Sequence, residues 1–176
     1  MPIASVAGAR CNQHTLSLIG GPVGMFCIAK RFTLDAGHRL SKHPELCRFP
    51  HGHSYEVEVV VAAKSLDAHD MVCDCKALKT VLAEEFARLD HAMQLSSGDP
   101  QRGAFGSFGE RVVLLEQGDP TAEVLARRLF ERVRELFRPG MEVATAGEPS
   151  YAVPDGVRVE RVRVAETPTT RAECGE

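Results

Sequence analysis

The amino-acid sequence predicts an α+β domain in which two strands, two helices and two further strands follow one another. Residues 26–34, 54–64 and 156–165 carry β-branched or alternating apolar residues, as strands do. Between the second and third of these runs, two segments repeat apolar residues at helical spacing. Because amphipathic helices can cover the apolar face of a sheet, we expect one sheet of about four strands with both helices on one face.

The chain divides into one domain and two short appendages. Residues 1–24 have little periodicity and no basic-then-apolar signal pattern, so we expect a loose N-terminal extension. Met25 opens the first credible strand, and the domain is predicted to span residues 25–170. Residues 171–176 are expected to form a C-terminal tail.

Each predicted helix has recognisable start and stop signals. Asp74 is a suitable N-cap for the first helix, which should end near Asp90 and His91. The second helix is opened by Asp119-Pro120-Thr121 and stopped by Arg138-Pro139-Gly140. The apolar positions are Leu78, Val81, Leu82, Phe86 and Leu89 in the first helix, and Leu125, Leu129, Val133, Leu136 and Phe137 in the second.

The remaining segments give weaker signals. Residues 96–110 are rich in Gly and Ser and predict a loop, and residues 111–115 are compatible with a short strand. After the second helix, Met141–Ala144 is a weak strand candidate. The stronger strand at 156–165 alternates apolar and charged residues apart from one slip at Glu160-Arg161.

The composition argues against several functional classes. In 176 residues, 21 Lys and Arg stand against 24 Asp and Glu, so the formal charge of −3 gives no electrostatic case for nucleic-acid binding. The sequence contains no uninterrupted apolar run long enough to predict a membrane span. The six cysteines are too sparse for a disulfide scaffold and no secretory signal is present, so we expect reduced thiols and a cytoplasmic protein.

The most informative stretch runs from Cys47 to Tyr55 and contains His51-Gly52-His53 just before a strand. Residues two apart in an extended segment point to the same side, so both imidazoles can reach one ion, and glycine between them adds no side chain to crowd it. His38, at the end of the preceding strand, is a candidate third ligand. Three imidazoles suit Zn²⁺ and leave a coordination position open, as in catalytic sites. The alternative is that His-Gly-His is an ordinary surface turn.

Five segments together resemble the 6-pyruvoyltetrahydropterin synthase / 6-carboxytetrahydropterin synthase family. They are Ala36-Gly37-His38-Arg39-Leu40, Cys47 to Tyr55, Leu89-Asp90-His91, Asp119-Pro120-Thr121-Ala122-Glu123 and Glu166-Thr167. The resemblance implies the tunnelling fold, with an antiparallel four-stranded sheet, two helices on one face and subunits that pool their sheets into a barrel. It also implies a homohexamer formed from two trimers.

The resemblance further implies the role of each site residue. His38, His51 and His53 match the family's zinc ligands, and Cys47 matches its proton-abstracting cysteine. The remaining matches are Asp90 with His91 as the acid–base pair, Glu166 as the carboxylate that anchors the pterin, and Thr121 near the same pocket. Taken without that context, Cys47 is equally an inert thiol, Asp90-His91 a simple helix end and Glu166 a surface acid.

The resemblance implies a zinc-dependent lyase that acts on 7,8-dihydroneopterin triphosphate. Three residues separate Cys47 from His51, as in bacterial 6-carboxytetrahydropterin synthases, so we expect 6-carboxy-5,6,7,8-tetrahydropterin, acetaldehyde and triphosphate as products, in 7-deazaguanine and queuosine biosynthesis. The alternatives are 6-pyruvoyltetrahydropterin synthase activity and a non-catalytic zinc-containing assembly module. Ala165, Cys75 and a long connection from Leu95 to Pro120 depart from the family pattern around the substrate pocket.

Overall fold

The structure is a computed structural model of the chain and describes residues 24–144, 147 and 149–176. It contains two helices, α1 (Cys75–Leu89) and α2 (Ala122–Leu136), and 3₁₀ turns at Leu46–Arg48 and Arg102–Arg111. The strands are β1 (Phe26–His38), β2 (His51–Ala63), β3 (Met93–Ser96), β4 (Val112–Leu115), β5 (Glu142–Val143), β6 (Tyr151–Ala152), β7 (Arg158–Thr167) and β8 (Thr170–Gly175). The α+β class expected from the sequence is confirmed.

The main sheet is larger than expected and is not purely antiparallel. Six strands lie in the order β4-β3-β1-β2-β7-β8, and β3 runs parallel to both β1 and β4. The prediction of four antiparallel strands is therefore wrong in number and direction. β3 and β4 are four residues each, too short to show periodicity, and β8 is a largely exposed edge strand without an apolar run. The weak candidate at 141–144 does contain a strand, but β5 pairs only with β6 in a separate hairpin.

The centre of the sheet follows the sequence pattern closely. β1 and β2 pair along their whole length, from Phe26 opposite Ala63 to His38 opposite His51. β7 pairs with β2 on its other side, and the register shifts so that Val60 is opposite Arg161 and Val61 is opposite Val159. The extra residue is Glu160, so the slip in alternation seen in the sequence marks a β-bulge.

Both helices cover one face of the sheet. Asp74 caps α1 by accepting a hydrogen bond from the Lys76 amide at 2.7 Å, and the Thr121 hydroxyl caps α2 by accepting from the Val124 amide. The Phe32 ring of β1 stacks on the Phe86 ring of α1 with centroids 4.2 Å apart. The buried positions of α2 belong to the same apolar core as those of β2 and β7. On the opposite face, Glu58 of β2 pairs with Arg31 of β1 and Arg163 of β7.

The two predicted appendages have different outcomes. All but the last residue of the expected extension, 1–24, lies outside the described residues. Most of the expected tail, 171–176, belongs to β8, which pairs with β7 from Thr170 opposite Thr167 to Gly175 opposite Arg161. The ordered domain therefore continues past residue 170. Within the described part of the chain, no helix has the length and apolar character needed to cross a membrane.

Candidate active site

The three predicted metal-binding histidines come together at one end of the β1–β2 ladder. His38 is paired with His51 across the two strands, and His53 lies two residues further along β2 on the same side. One potential ligand atom of each ring lies within 4.8 Å of the others. Gly52 between them also fits a tight approach of the two strands: a Cβ there would lie 3.0 Å from the Ala36 carbonyl oxygen of the neighbouring strand.

Backbone carbonyls orient two of the rings. The Nδ1 atom of His38 lies 2.7 Å from the Pro120 carbonyl oxygen, and that of His51 lies 2.8 Å from the Phe49 carbonyl oxygen. A carbonyl oxygen only accepts, so each Nδ1 carries the hydrogen and each Nε2 presents a lone pair. These two Nε2 atoms face each other at 2.9 Å. Two facing lone pairs repel unless a cation lies between them, so this donor set fits a bound metal ion.

Burial keeps His38 in the form that binds metal. The residue is 1% exposed, and burial lowers its pKa to about 4, aided by the neighbouring His51 and His53 and opposed by the Pro120 carbonyl. A neutral imidazole is the ligand form, so no proton competes with the ion at neutral pH. The Tyr55 hydroxyl also contacts this ring and lies 3.1 Å from His38 Nδ1. Burial and the charge of Glu166 raise the pKa of Tyr55, so this hydroxyl keeps its proton.

Glu166 lies near the histidine cluster with unused hydrogen-bonding capacity. Burial raises the pKa of this carboxyl, against the opposing effect of His53, and Glu123 adds like charge. Its Oε1 atom is buried and has no hydrogen-bond partner. A buried carboxylate oxygen without a donor is costly unless a ligand supplies one. Thr121 lies next to Pro120, whose carbonyl holds His38, but its hydroxyl is already occupied as the α2 cap.

Cys47 lies in the 3₁₀ turn that precedes β2 and is half-buried with a free thiol. Its backbone carbonyl accepts a hydrogen bond from the Leu40 amide at 2.9 Å, which ties the turn to the end of β1. Cys47 therefore lies in a segment anchored between the first and second histidines.

Asp90 and His91 form the expected pair, but on the other side of the sheet. His91 Nδ1 lies 2.9 Å from Asp90 Oδ2, and Asp90 Oδ1 accepts from the Asp35 amide at 2.9 Å. The Asp35 hydrogen bond, with a further contribution from His91, lowers the pKa of Asp90 and keeps it ionised. His91 borders the same cavity as Asp35 and Ser54, which are opposite each other in the register and alternate with the histidines along their strands. His91 therefore lies on the side of the β1–β2 ladder opposite to the histidine cluster.

His91 borders a cavity of about 680 Å³ on that second face. The cavity is also bordered by Gly37, Gly52, Phe108 and Arg111. The border also includes His53, whose ring lies with the cluster on the first face. His91 has a positive φ of 55°, an uncommon conformation for a residue other than glycine, and its amide donates to the Asp35 carbonyl.

Comparison with known proteins identifies the family. The sequence model of the 6-pyruvoyl tetrahydropterin synthase family matches residues 27–176. The chain belongs to the 6-pyruvoyl tetrahydropterin synthase family. It is 34% identical to a probable 6-carboxy-5,6,7,8-tetrahydropterin synthase from Halobacterium salinarum over 141 residues, covering 79% of each protein. It is 29% identical to the 6-carboxy-5,6,7,8-tetrahydropterin synthase of Rickettsia felis, covering 74% of this chain and 96% of that protein.

Two solved structures, one of them a 6-pyruvoyltetrahydropterin synthase, share the fold. An uncharacterized protein from Wolinella succinogenes matches with a TM-score of 0.65 and 24% identity, covering 86% of this chain and 98% of that one. A Plasmodium vivax 6-pyruvoyltetrahydropterin synthase matches with a TM-score of 0.60 and 13% identity, covering 87% and 98%. At these identities the likeness concerns the fold alone.

Two groups that contact the histidine cluster were not predicted from the sequence. Tyr55 continues the alternation of His51 and His53 along β2, and this period of two is the signal that identifies it as a neighbour of the cluster. No sequence pattern indicated that the Pro120 carbonyl would contact His38. It reaches His38 because the loop before α2 folds back onto the end of β1, which depends on long-range packing.

Proposed function

We propose that the protein is a cytoplasmic zinc-dependent lyase that converts 7,8-dihydroneopterin triphosphate to 6-carboxy-5,6,7,8-tetrahydropterin, with release of acetaldehyde and triphosphate. The observation that carries the proposal is the convergence of three imidazoles, two of them with their Nε2 lone pairs facing each other, in a family whose curated relatives named above make this product. The product would feed 7-deazaguanine and queuosine biosynthesis.

Zinc is the metal that best suits the donor set. His38, His51 and His53 supply three neutral nitrogens and no soft sulfur, and three protein ligands leave a position for substrate. The ion would supply Lewis acidity at side-chain oxygens of the substrate, so that neighbouring C–H and O–H protons are easier to remove. The Pro120 and Phe49 carbonyls would hold the His38 and His51 rings in the ligating tautomer.

We assign the pterin anchor to Glu166, with Thr121 in the same pocket. A pterin presents adjacent ring and exocyclic N–H groups, and a carboxylate can accept both as a charge-assisted fork. The unpaired, buried Oε1 of Glu166 supports this role, since the ligand would provide the donor that the protein does not. Its position near His51 and His53 brings the ring close to the metal.

Cys47 is proposed as the base that removes the substrate proton, and Asp90 with His91 as the acid–base pair. Asp90 accepts from the Asp35 amide with one oxygen and contacts His91 with the other, so it fixes the orientation of the imidazole. Because the β1–β2 ladder separates this pair from the metal ligands in one chain, we propose that a neighbouring subunit supplies it.

The edges of the sheet support such an assembly. β3 pairs with β1 only at Gly37 and His38, so most of the outer edge of β1 has no partner strand within the described part of the chain. β8 forms the other edge of the sheet. Unpaired edges invite strands of another copy. We propose that subunits join through these edges into trimeric barrels and that two trimers form a homohexamer with the active site at a subunit boundary.

The decisive experiment is product identification. Purified, zinc-loaded protein is incubated with 7,8-dihydroneopterin triphosphate, and the products are identified by mass spectrometry with a coupled assay for acetaldehyde. A 6-carboxy-5,6,7,8-tetrahydropterin product with stoichiometric acetaldehyde supports the proposal. A pyruvoyl pterin as the dominant product would replace it with 6-pyruvoyltetrahydropterin synthase activity. A zinc-loaded protein that leaves the substrate intact would indicate a non-catalytic assembly module.

A further inference from the structure

Three consecutive backbone carbonyls attach the turn that carries Cys47 to the metal cluster. Each carbonyl accepts one hydrogen bond from the end of β1 or from a metal-binding histidine. The donors and acceptors are Leu40 N to Cys47 O at 2.9 Å, Arg39 Nε to Arg48 O at 3.0 Å and His51 Nδ1 to Phe49 O at 2.8 Å. The position of Cys47 relative to the histidines therefore depends on these three bonds.

Of the three donors, one is a backbone amide and one is a proposed metal ligand. The third is the side chain of Arg39. It directly follows His38 and is only 5% exposed. Its Nη1 donates to Asp99 Oδ1 at 3.0 Å and to Gln101 Oε1 at 2.7 Å, and the Asp99 side chain is fully buried. One guanidinium thus joins the end of β1, the Cys47 turn and the segment after β3.

We propose that Arg39 is a positioning residue for Cys47. This inference rests on the proposed function, in which Cys47 is the base. Asp99 neutralises the buried guanidinium and, with Gln101, fixes its plane, so that Nε is directed at the Arg48 carbonyl. Arg39 holds the turn that presents the thiol to the substrate and does not itself take part in proton transfer.

Lysine cannot replace arginine in this arrangement. An Arg39→Lys side chain keeps the positive charge beside Asp99, so the buried carboxylate remains paired. Its single ammonium cannot reach Asp99, Gln101 and the Arg48 carbonyl in the planar fork that the guanidinium provides. The substitution therefore releases the turn while leaving the fold and the three histidines in place.

The test uses the zinc-loaded full-length protein and compares wild type, Arg39→Lys and Gln101→Ala. Zinc content, steady-state kinetics with dihydroneopterin triphosphate and hydrogen–deuterium exchange by mass spectrometry are measured on each. In Arg39→Lys we expect kcat to fall about 10- to 100-fold, the effect of a small misplacement of a reacting group, with KM little changed. Amides of residues 40–50 should exchange faster, while those of α1 and α2 and the zinc content stay at wild-type levels.

Gln101 is exposed, and Gln101→Ala removes one hydrogen-bond partner of the Arg39 guanidinium. The buried Arg39 and Asp99 charges remain paired with each other. Gln101→Ala should change kcat and the exchange of residues 40–50 in the same direction by a smaller factor, and it decides the question if Arg39→Lys does not fold. Wild-type kcat and exchange in Gln101→Ala would then overturn the proposal. So would an Arg39→Lys protein with unchanged kcat, or one that loses zinc together with turnover.

The outcome is separable from the proposed function. If wild type does not turn over the substrate, the proposed function fails, and exchange of residues 40–50 in wild type and Arg39→Lys alone decides whether Arg39 holds the turn. If wild type is active and Cys47→Ala is inactive, while Arg39→Lys equals wild type in both readouts, the function stands and the positioning role fails.

Discussion

Replacing His51 and Cys47 separately by alanine should distinguish metal binding from proton transfer. His51 supplies one of three nitrogens that face a common point, with its Nε2 2.9 Å from that of His38. Removing one of three ligands leaves two, too few for a stable zinc site, so zinc content and turnover should fall together in His51→Ala. Cys47→Ala removes the proposed base and no ligand. We expect about one zinc per subunit to remain, with turnover lower by about 10²–10⁴-fold.

The assay pairs elemental analysis of zinc with steady-state rates on the same preparations. His69→Ala is the matched control, because His69 is exposed and has no assigned role in the site. It should keep zinc and turnover near wild-type values. If Cys47→Ala lost zinc as completely as His51→Ala, Cys47 would be a fourth ligand. The site would then be closed and structural, and the catalytic assignment would be refuted.

Four further predictions concern stability and assembly. Hydrogen bonds from Arg88 and Arg128 lower the pKa of Glu85 below its ordinary 4.5, although burial alone would raise it. The ionised Glu85 carboxylate therefore stabilises the folded state above pH 4.5, and this stabilisation is lost as the pH falls through the lower pKa of the folded state. Glu85→Gln should reduce the free energy of unfolding in urea at pH 7 by roughly 1.5–3 kcal/mol. Deleting 170–176 removes β8 and should cause aggregation or unfolding in size-exclusion chromatography, whereas deleting 1–24 should leave folding and activity intact. Light scattering at micromolar concentration should give a hexamer, and a well-folded monomer would contradict the proposed subunit boundary.

Local signals in the sequence were sufficient for the helices and the central strands. Asp74 and Thr121 cap α1 and α2 as their residue types favour, and both helices end where the apolar spacing ends. The slip in alternation at Glu160-Arg161 coincides with the bulge in β7, because alternation is a direct consequence of strand geometry. The short-strand candidate at 111–115 contains β4. The short strand β3 and the polar edge strand β8 were missed, since their pairing is determined by neighbouring strands and not by their own periodicity.

The histidine cluster was accessible from the sequence for a similar reason. His51 and His53 are two apart at the start of a strand, and His38 ends the strand that pairs with it, so antiparallel register alone brings the three together. The orientation of the rings was not accessible. It depends on the Pro120 and Phe49 carbonyls, and the former lies 82 residues from His38.

The side of the sheet on which Asp90 and His91 lie is the most consequential feature that the sequence left open. A residue after a helix has no period that assigns it to a face. The amide and carbonyl of Asp35 hold Asp90 and His91 at the outer edge of β1. His91 borders one cavity together with Asp35 and Ser54, which alternate with the histidines along their strands. Under the proposed function, a second copy would bring its acid–base pair to the face that carries the proposed metal ligands. The proposed chemistry and the proposed assembly therefore depend on each other.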